Sequence, residues 1–136
     1  MIVGGRANNG DMVNSRWNLE YVRQQGYRLK DFSIAQPSFE SLIGVSIIQY
    51  NKQLIMFGGT DNDLAMRSDI LYSDDEGMNW YQPDSTSNQL PSTYLPRTNQ
   101  TVLIDADENI YIIGGQSQSR SFGDVYRGYL NSKKWD

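Results

Sequence analysis

The sequence predicts an all-β chain built from repeated four-stranded antiparallel units, and three observations carry that prediction. Glycine pairs fall at Gly4-Gly5, Gly58-Gly59 and Gly114-Gly115, spaced 54 and 56 residues. Each pair closes a short apolar run: MIV, LIMF or IYII. In the second and third units a tryptophan follows, Trp80 and Trp135, 21 and 20 residues beyond the second glycine. A fixed period of about 50 residues marks stacked units that bury their apolar faces only against one another.

Strands within a unit are designated A to D in chain order. In the second unit strand A is GVSIIQY, residues 44 to 50. A tight polar turn leads to strand B, which ends in LIMF and the glycine pair. A polar loop then leads to strand C, SDILYS at 68 to 73, and a turn leads to strand D with Trp80. The third unit repeats this order with QTVLID at 100 to 105, IYII, GDVYRGYL at 123 to 130, and Trp135. These runs are short, rich in Ile, Val and Tyr, and bounded by turn residues, as strands are. The first unit begins inside strand B. Its segment NSRWNLEYVRQQGYRLKDF sets Leu19, Val22 and Leu29 on related faces of a helix, but Gly26 would interrupt one. The repeat places a C to D hairpin there, so a hairpin is expected.

Four antiparallel strands repeated at this spacing are β-propeller blades. The blades fall at about 1–35, which lacks strand A, 43–83 and 98–136. Closed propellers use about four to eight blades, and three would leave two apolar flanks in water. The chain is therefore expected to form one partial propeller within a six- to eight-bladed ring, completed by additional blades of the same longer chain or by a second copy. The glycine pairs are expected to be structural, because strand B must turn sharply beside a neighbouring blade, where only glycine accepts a positive φ and close backbone approach.

Composition narrows the chemistry. Twelve Lys and Arg stand against sixteen Asp and Glu, a formal charge of −4, and the cations are scattered. That is a poor surface for releasing counterions from nucleic acid. With no cysteine, disulfides and thiolate chemistry are excluded; with no histidine, so are Ser-His-Asp and Cys-His catalysis and imidazole-based metal sites. No apolar run approaches the roughly 20 residues of a membrane span.

An apolar strand ending in Gly-Gly, an aromatic-bearing strand and then tryptophan resembles the kelch repeat. The likeness covers Ile43 to Gln82 and Thr98 to Asp136 well, and the first unit only in part, since no tryptophan stands at the equivalent place. SDDEGMNW, Ser73 to Trp80, resembles the Asp-box hairpin of sialidase-type propellers through Ser73, Asp75, Gly77 and Trp80, with Asn79 where threonine is common. The first resemblance is nearest to kelch-like proteins of bacteria, many of them exported, and implies the periplasm or the cell surface. Sialidases of the Asp-box type carry a set of arginines and a tyrosine nucleophile, and no motif here places Arg6, Arg67, Arg97 or Arg120 in those roles. Kelch enzymes of the galactose-oxidase type need histidine and cysteine, both missing.

Two acidic stretches suggest calcium and read better as turns. DADEN at 105 to 109 alternates oxygen ligands but runs straight into strand B, so it is expected to be an A to B turn; TDND at 60 to 63 lies in a longer loop, where a cation or polar ligand stays open. Asn99-Gln100-Thr101 matches a glycosylation acceptor at the entry to a strand and is read as chance. Ser73, Asp75, Gly77 and Trp80 are expected to serve the turn itself.

Because antiparallel strands alternate direction, the B to C and D to A connections emerge on one face and the remaining turns on the other. The first face carries the long loops and, with them, Arg6, Asn8, Asp61, Asn62, Arg67, Tyr94, Arg97, Gln116 and Arg120 as candidate ligand-binding residues. Amides, hydroxyls and arginines beside tyrosines suit a carbohydrate or a protein or peptide partner. The reading is a noncatalytic binding module with no cofactor, no metal and no catalytic residue. The alternative is a fragment of a sialidase-like propeller glycoside hydrolase whose catalytic residues lie largely outside this chain.

Overall fold

The computed structural model describes residues 2–3, 8–9, 16–31, 42–82, 90–129 and 134–135, and the structural statements here concern those residues. They form antiparallel sheets and no helix. The first sheet holds β1 (Ile2–Val3), β2 (Arg16–Val22) and β3 (Gly26–Asp31) in chain order. The second holds β4 (Ser46–Tyr50), β5 (Gln53–Phe57) and β6 (Ile70–Ser73), with Tyr81 bridged to Tyr72 at its outer edge. The third is complete, with β7 (Thr101–Ile104), β8 (Asn109–Ile113), β9 (Val125–Tyr129) and β10 (Lys134–Trp135).

The segment with helical spacing is a hairpin. β2 pairs β3 from Trp17↔Asp31 to Val22↔Gly26, and Gln24 at φ 68 with Gly26 at φ 80 turns the chain between them. A left-handed residue pair ends a helix but fits a tight turn.

Burial explains why β5 reads as an unbroken apolar run. Leu54, Ile55, Met56 and Phe57 are all buried, because a central strand is covered on both faces. Ile55 and Phe57 join Ile48, Ile70 and Tyr72 against Ile110 and Ile112 of the third sheet, with Tyr94 in the same cluster. Leu54 and Met56 face the other way, with Leu42 and Trp80. The second sheet thus carries an apolar layer on each side.

The third sheet does not. Register equates its Leu103, Ile113 and Val125 with Ile48, Phe57 and Ile70 of the second. The latter three are buried; the former are 41%, 39% and 58% exposed. One face of the third sheet therefore repeats a packing surface that is left exposed, with no partner among the described residues.

The turns opposite the long loops are closed by their own carboxylates. Ser73 Oγ accepts from Gly77 N at 2.8 Å and donates to Asp75 Oδ1 at 2.9 Å. Asp75 also accepts from Asn79 N and Asn79 Nδ2 at 2.8 and 2.6 Å, and Trp80 Nε1 donates to Gly77 O at 3.1 Å. Glu76 and Gly77 take positive φ of 59° and 81° to make this possible. In the turn between β7 and β8, Asp105 accepts from the amides of Asp107 and Asn109, both at 2.9 Å, and from the Asn109 side chain at 2.8 Å. Its oxygens accept from the turn's own donors.

These bonds fix a pH dependence. Donors from Asn79 hold the Asp75 carboxyl below its ordinary value of 3.8, and donors from Asn109 do the same for Asp105. A folded pKa below the unfolded one gives stability that is complete above the unfolded value and lost as pH falls through the folded one. Melting temperature should hold from pH 7 to about 5 and drop below about pH 4. Asp75→Ala should cost about 1–2 kcal/mol at pH 7 in urea titration, as the loss of a turn's hydrogen-bonded acceptor does.

Candidate functional site on the long-loop face

The long loops leave β5 and β8 through their glycine pairs. Gly58 and Gly59 have φ of 60° and 103°, Gly114 and Gly115 have 61° and 99°. A side chain on Gly58 would stand 2.6 Å from the Arg97 carbonyl, so the chain approaches where only glycine fits. The two units then use one bonding scheme. Gly58 N donates to Asp69 O and Gly114 N to Asp124 O; Arg67 N donates to Gly59 O and Phe122 N to Gly115 O. Thr60 bridges both Ile43 and Met66, as Gln116 bridges Thr98 and Ser121. Each unit's B to C loop is thereby stitched to the segment entering its own strand A, and Gly59 N reaches on to Arg97 O in the next unit at 3.1 Å.

Within the 60–67 loop Asp61 is buried and turned inward. Its Oδ1 accepts from Asp63 N and Ala65 N at 3.1 and 2.9 Å, and its Oδ2 pairs with Arg67 Nε at 3.1 Å. Sequence placed Asp61 among the ligand-facing residues; its carboxylate instead holds the loop, as short acids do when they capture nearby amides.

Arg97 departs further from a ligand-facing position. It is 0% exposed. Its guanidinium binds both oxygens of Asp124, donates to Gly114 O at 3.0 Å and, through Nε, to Leu95 O at 3.1 Å. The rings of Phe122 and Tyr94 lie against it, 3.9 and 4.3 Å from centroid to Cζ. Four of its five N–H donors have acceptors and two aromatic rings lie against the plane, an environment suited to arginine. The pair holds the Asp124 carboxyl below its ordinary value. Tyr94 is buried beside it, edge-on to Tyr126 at 5.2 Å, and desolvation pushes its phenol up to about 12. Both residues lie buried in the D to A connection between the sheets.

Of the remaining candidates, Asn62, Gln116 and Arg120 are exposed, and Arg67 has its side chain 36% exposed. Asn8 is exposed in a turn between β1 and β2. Arg6, Gly4 and Gly5 lie outside the described residues. The structure brings the two loops together: Gln118 Nε2 donates to Leu64 O at 3.1 Å, and Arg120 lies over Phe122 at 4.7 Å. The face thus offers amides and arginines on loops braced from within. Among the described residues no group of acids could hold a metal ion, and no helix is long and apolar enough to cross a membrane.

Stacked antiparallel units with repeated loop stitching are what a propeller requires, and residues 1–136 match the DUF6242 beta propeller domain from end to end. The chain belongs to that family. Two curated relatives from Arabidopsis thaliana, Acyl-CoA-binding domain-containing proteins 5 and 4, are each 28% identical to this propeller over 92 residues. The matched region is 68% of this chain, and the chain spans only 14% and 13% of the relatives' lengths.

Sequence reasoning missed the Arg97 clasp and its acceptor Asp124. A signal was present. Asp124 in GDV and Asp69 in SDI occupy the same place in successive units, and an acid recurring at a fixed repeat position is more plainly a scaffold element than a ligand contact.

Proposed function

We propose that this propeller domain is a noncatalytic, kelch-like binding module that takes a glycan or a protein or peptide on the face formed by its long B to C and D to A loops. The observation that carries the reading is the bracing of that face: Asp61, Arg97 and the glycine pairs fix the loops from inside, while Asn62, Gln116 and Arg120 are exposed and Arg67 is half-buried at the rim. A rigid scaffold presenting polar loops is the usual form of a recognition surface. The opposite face is built of short turns, one of them an Asp-box-type hairpin, whose acids are spent on their own backbone.

The hydrolase alternative asks for a carboxylic acid with a raised pKa. Among the described residues the shifted carboxyls, Asp74, Asp75, Asp105 and Asp124, are all lowered by hydrogen bonds and serve turns or the Arg97 clasp; the alternative places its catalytic residues largely outside this chain. Acyl-CoA stands in the names of the two plant relatives; its phosphates would call for clustered cations, whereas the twelve Lys and Arg of this chain are scattered along it.

The domain is further read as part of a larger ring, because the exposed face of the third sheet repeats the surface that the third sheet covers on the second. The binding reading is tested by screening the full-length protein against a glycan array and a peptide library, then repeating the hits with Asn62→Ala, Gln116→Ala and Arg120→Ala combined. At least a tenfold loss is expected, with an unchanged circular dichroism spectrum. Hits that survive the triple variant would sink the reading.

A further inference from the structure

The two well-packed units can be matched position by position through their shared bonding scheme, and they differ at the position of Arg97. The position of Arg97 is held in the second unit by Leu42, each being the residue before the segment that bridges the loop, at Ile43 and Thr98. The partners of Arg97 have counterparts too: Gly58 for Gly114, Asp69 for Asp124, Leu71 for Tyr126 and Arg67 for Phe122. Where the third unit is filled by the Arg97 guanidinium, the second contains a cavity of about 190 Å³. Its walls are Leu42, Met56 and Leu71, and its polar lining is Gly58, Asp69, Arg67 and Gln82.

The acceptors that Arg97 uses are present and less occupied here. Gly114 O receives Arg97 Nη1, whereas Gly58 O accepts no hydrogen bond among the described residues. Asp124 is bound on both oxygens, whereas Asp69 meets Arg67 only at 3.6 Å, beyond hydrogen-bond length. The nearer carboxylate of Arg67 is that of Asp61, at 3.1 Å. Among the described residues two carboxylates, Asp61 and Asp69, thus stand around the Arg67 guanidinium. The side chains of Arg67 and Asp69 are each 36% exposed, so the opening reaches solvent.

We propose that this cavity is a receptor for an arginine side chain presented by a protein or peptide partner, which takes in the second unit the place that Arg97 takes in the third. The guest donates to Gly58 O and to Asp69, lays its methylene stem along Leu42, Met56 and Leu71, and leaves Asp61 to balance Arg67. Planarity and a forked donor set favour arginine over lysine at such a site. The inference rests on the peptide branch of the loop-face reading and goes beyond it by naming a side chain and its seat.

The test uses the methyl groups of methionine, of which this chain has five. Met56 lines the cavity and Met66 stands on the neighbouring loop. In the full-length protein labelled at methionine methyls, N-acetyl-arginine methylamide should shift the Met56 signal saturably. The uncharged citrulline analogue should do so at least tenfold more weakly. Asp69→Asn should remove the response, and Leu42→Arg should move the Met56 signal without any probe and abolish further change. A Met56 signal that ignores the arginine probe, that answers citrulline equally, or that keeps its response in Asp69→Asn overturns the receptor. If in that case a glycan or peptide hit still shifts Met66, the loop-face reading stands; if Met66 is silent as well, both fall.

Discussion

Replacing Arg97 with alanine is expected to cost the fold about 3 kcal/mol, the scale for removing one partner of a buried ion pair. The loss has three parts that act together. Asp124 is left beside a desolvated gap, the carbonyls of Gly114 and Leu95 lose their donor, and Phe122 and Tyr94 lose the group between them. Asp124 has its side chain 38% exposed, so water recovers part of its solvation and holds the cost below the 5 kcal/mol end of the range. Arg97→Lys should recover less than half of it, because an ammonium cannot fork onto both oxygens while serving two carbonyls. Urea titration reads the effect as a lower midpoint at unchanged slope. A variant as stable as the parent would show that the clasp contributes nothing.

Gly58→Ala is expected to be of similar size, for a different reason. A Cβ there would meet Arg97 O at 2.6 Å and Gln100 Nε2 at 2.7 Å, at a φ of 60°. The carbonyl is backbone, already receiving Gly59 N, and cannot yield without moving the segment that enters the third unit. Left-handed strain alone costs about 1–2 kcal/mol, and overpacking adds typically 1–3. Gly26 supplies the control: its φ is 80° but nothing lies within 4 Å of an added Cβ. Gly26→Ala should therefore lose only the strain, about 1 kcal/mol. Equal losses at the two positions would remove the case that Gly58 is fixed by close approach between units.

The strands were legible because their causes are local. IYII and LIMF, each before a glycine pair, report a central strand and the turn that ends it, and alternation along the flanking runs reports the faces. The hairpin of β2 and β3 was legible from Gly26 together with the register of the repeat, which outweigh a helical spacing of three apolar residues. Arg97 and Tyr94 were not. An arginine in a Pro-rich connection reads as surface, and its burial arises only when residues 27 and 17 positions further on, Asp124 and Gly114, fold back around it. The inward turn of Asp61 was not legible for a smaller reason: a short acid in a polar loop satisfies its own loop's amides, which a sequence pattern alone does not show.

The architectural claim is that these units are blades of a larger ring, and it rests on Leu103, Ile113 and Val125 occupying packing positions left exposed, with no partner among the described residues. Light scattering after size exclusion, on the 136-residue chain alone, tests it most directly. The account predicts that the chain does not remain a lone species: it pairs to a mass near two chains or spreads into larger assemblies, and Leu103→Lys with Val125→Lys restores a single chain. A monodisperse monomer that binds no hydrophobic dye would contradict it, because the exposed face of the third sheet would then need no neighbour.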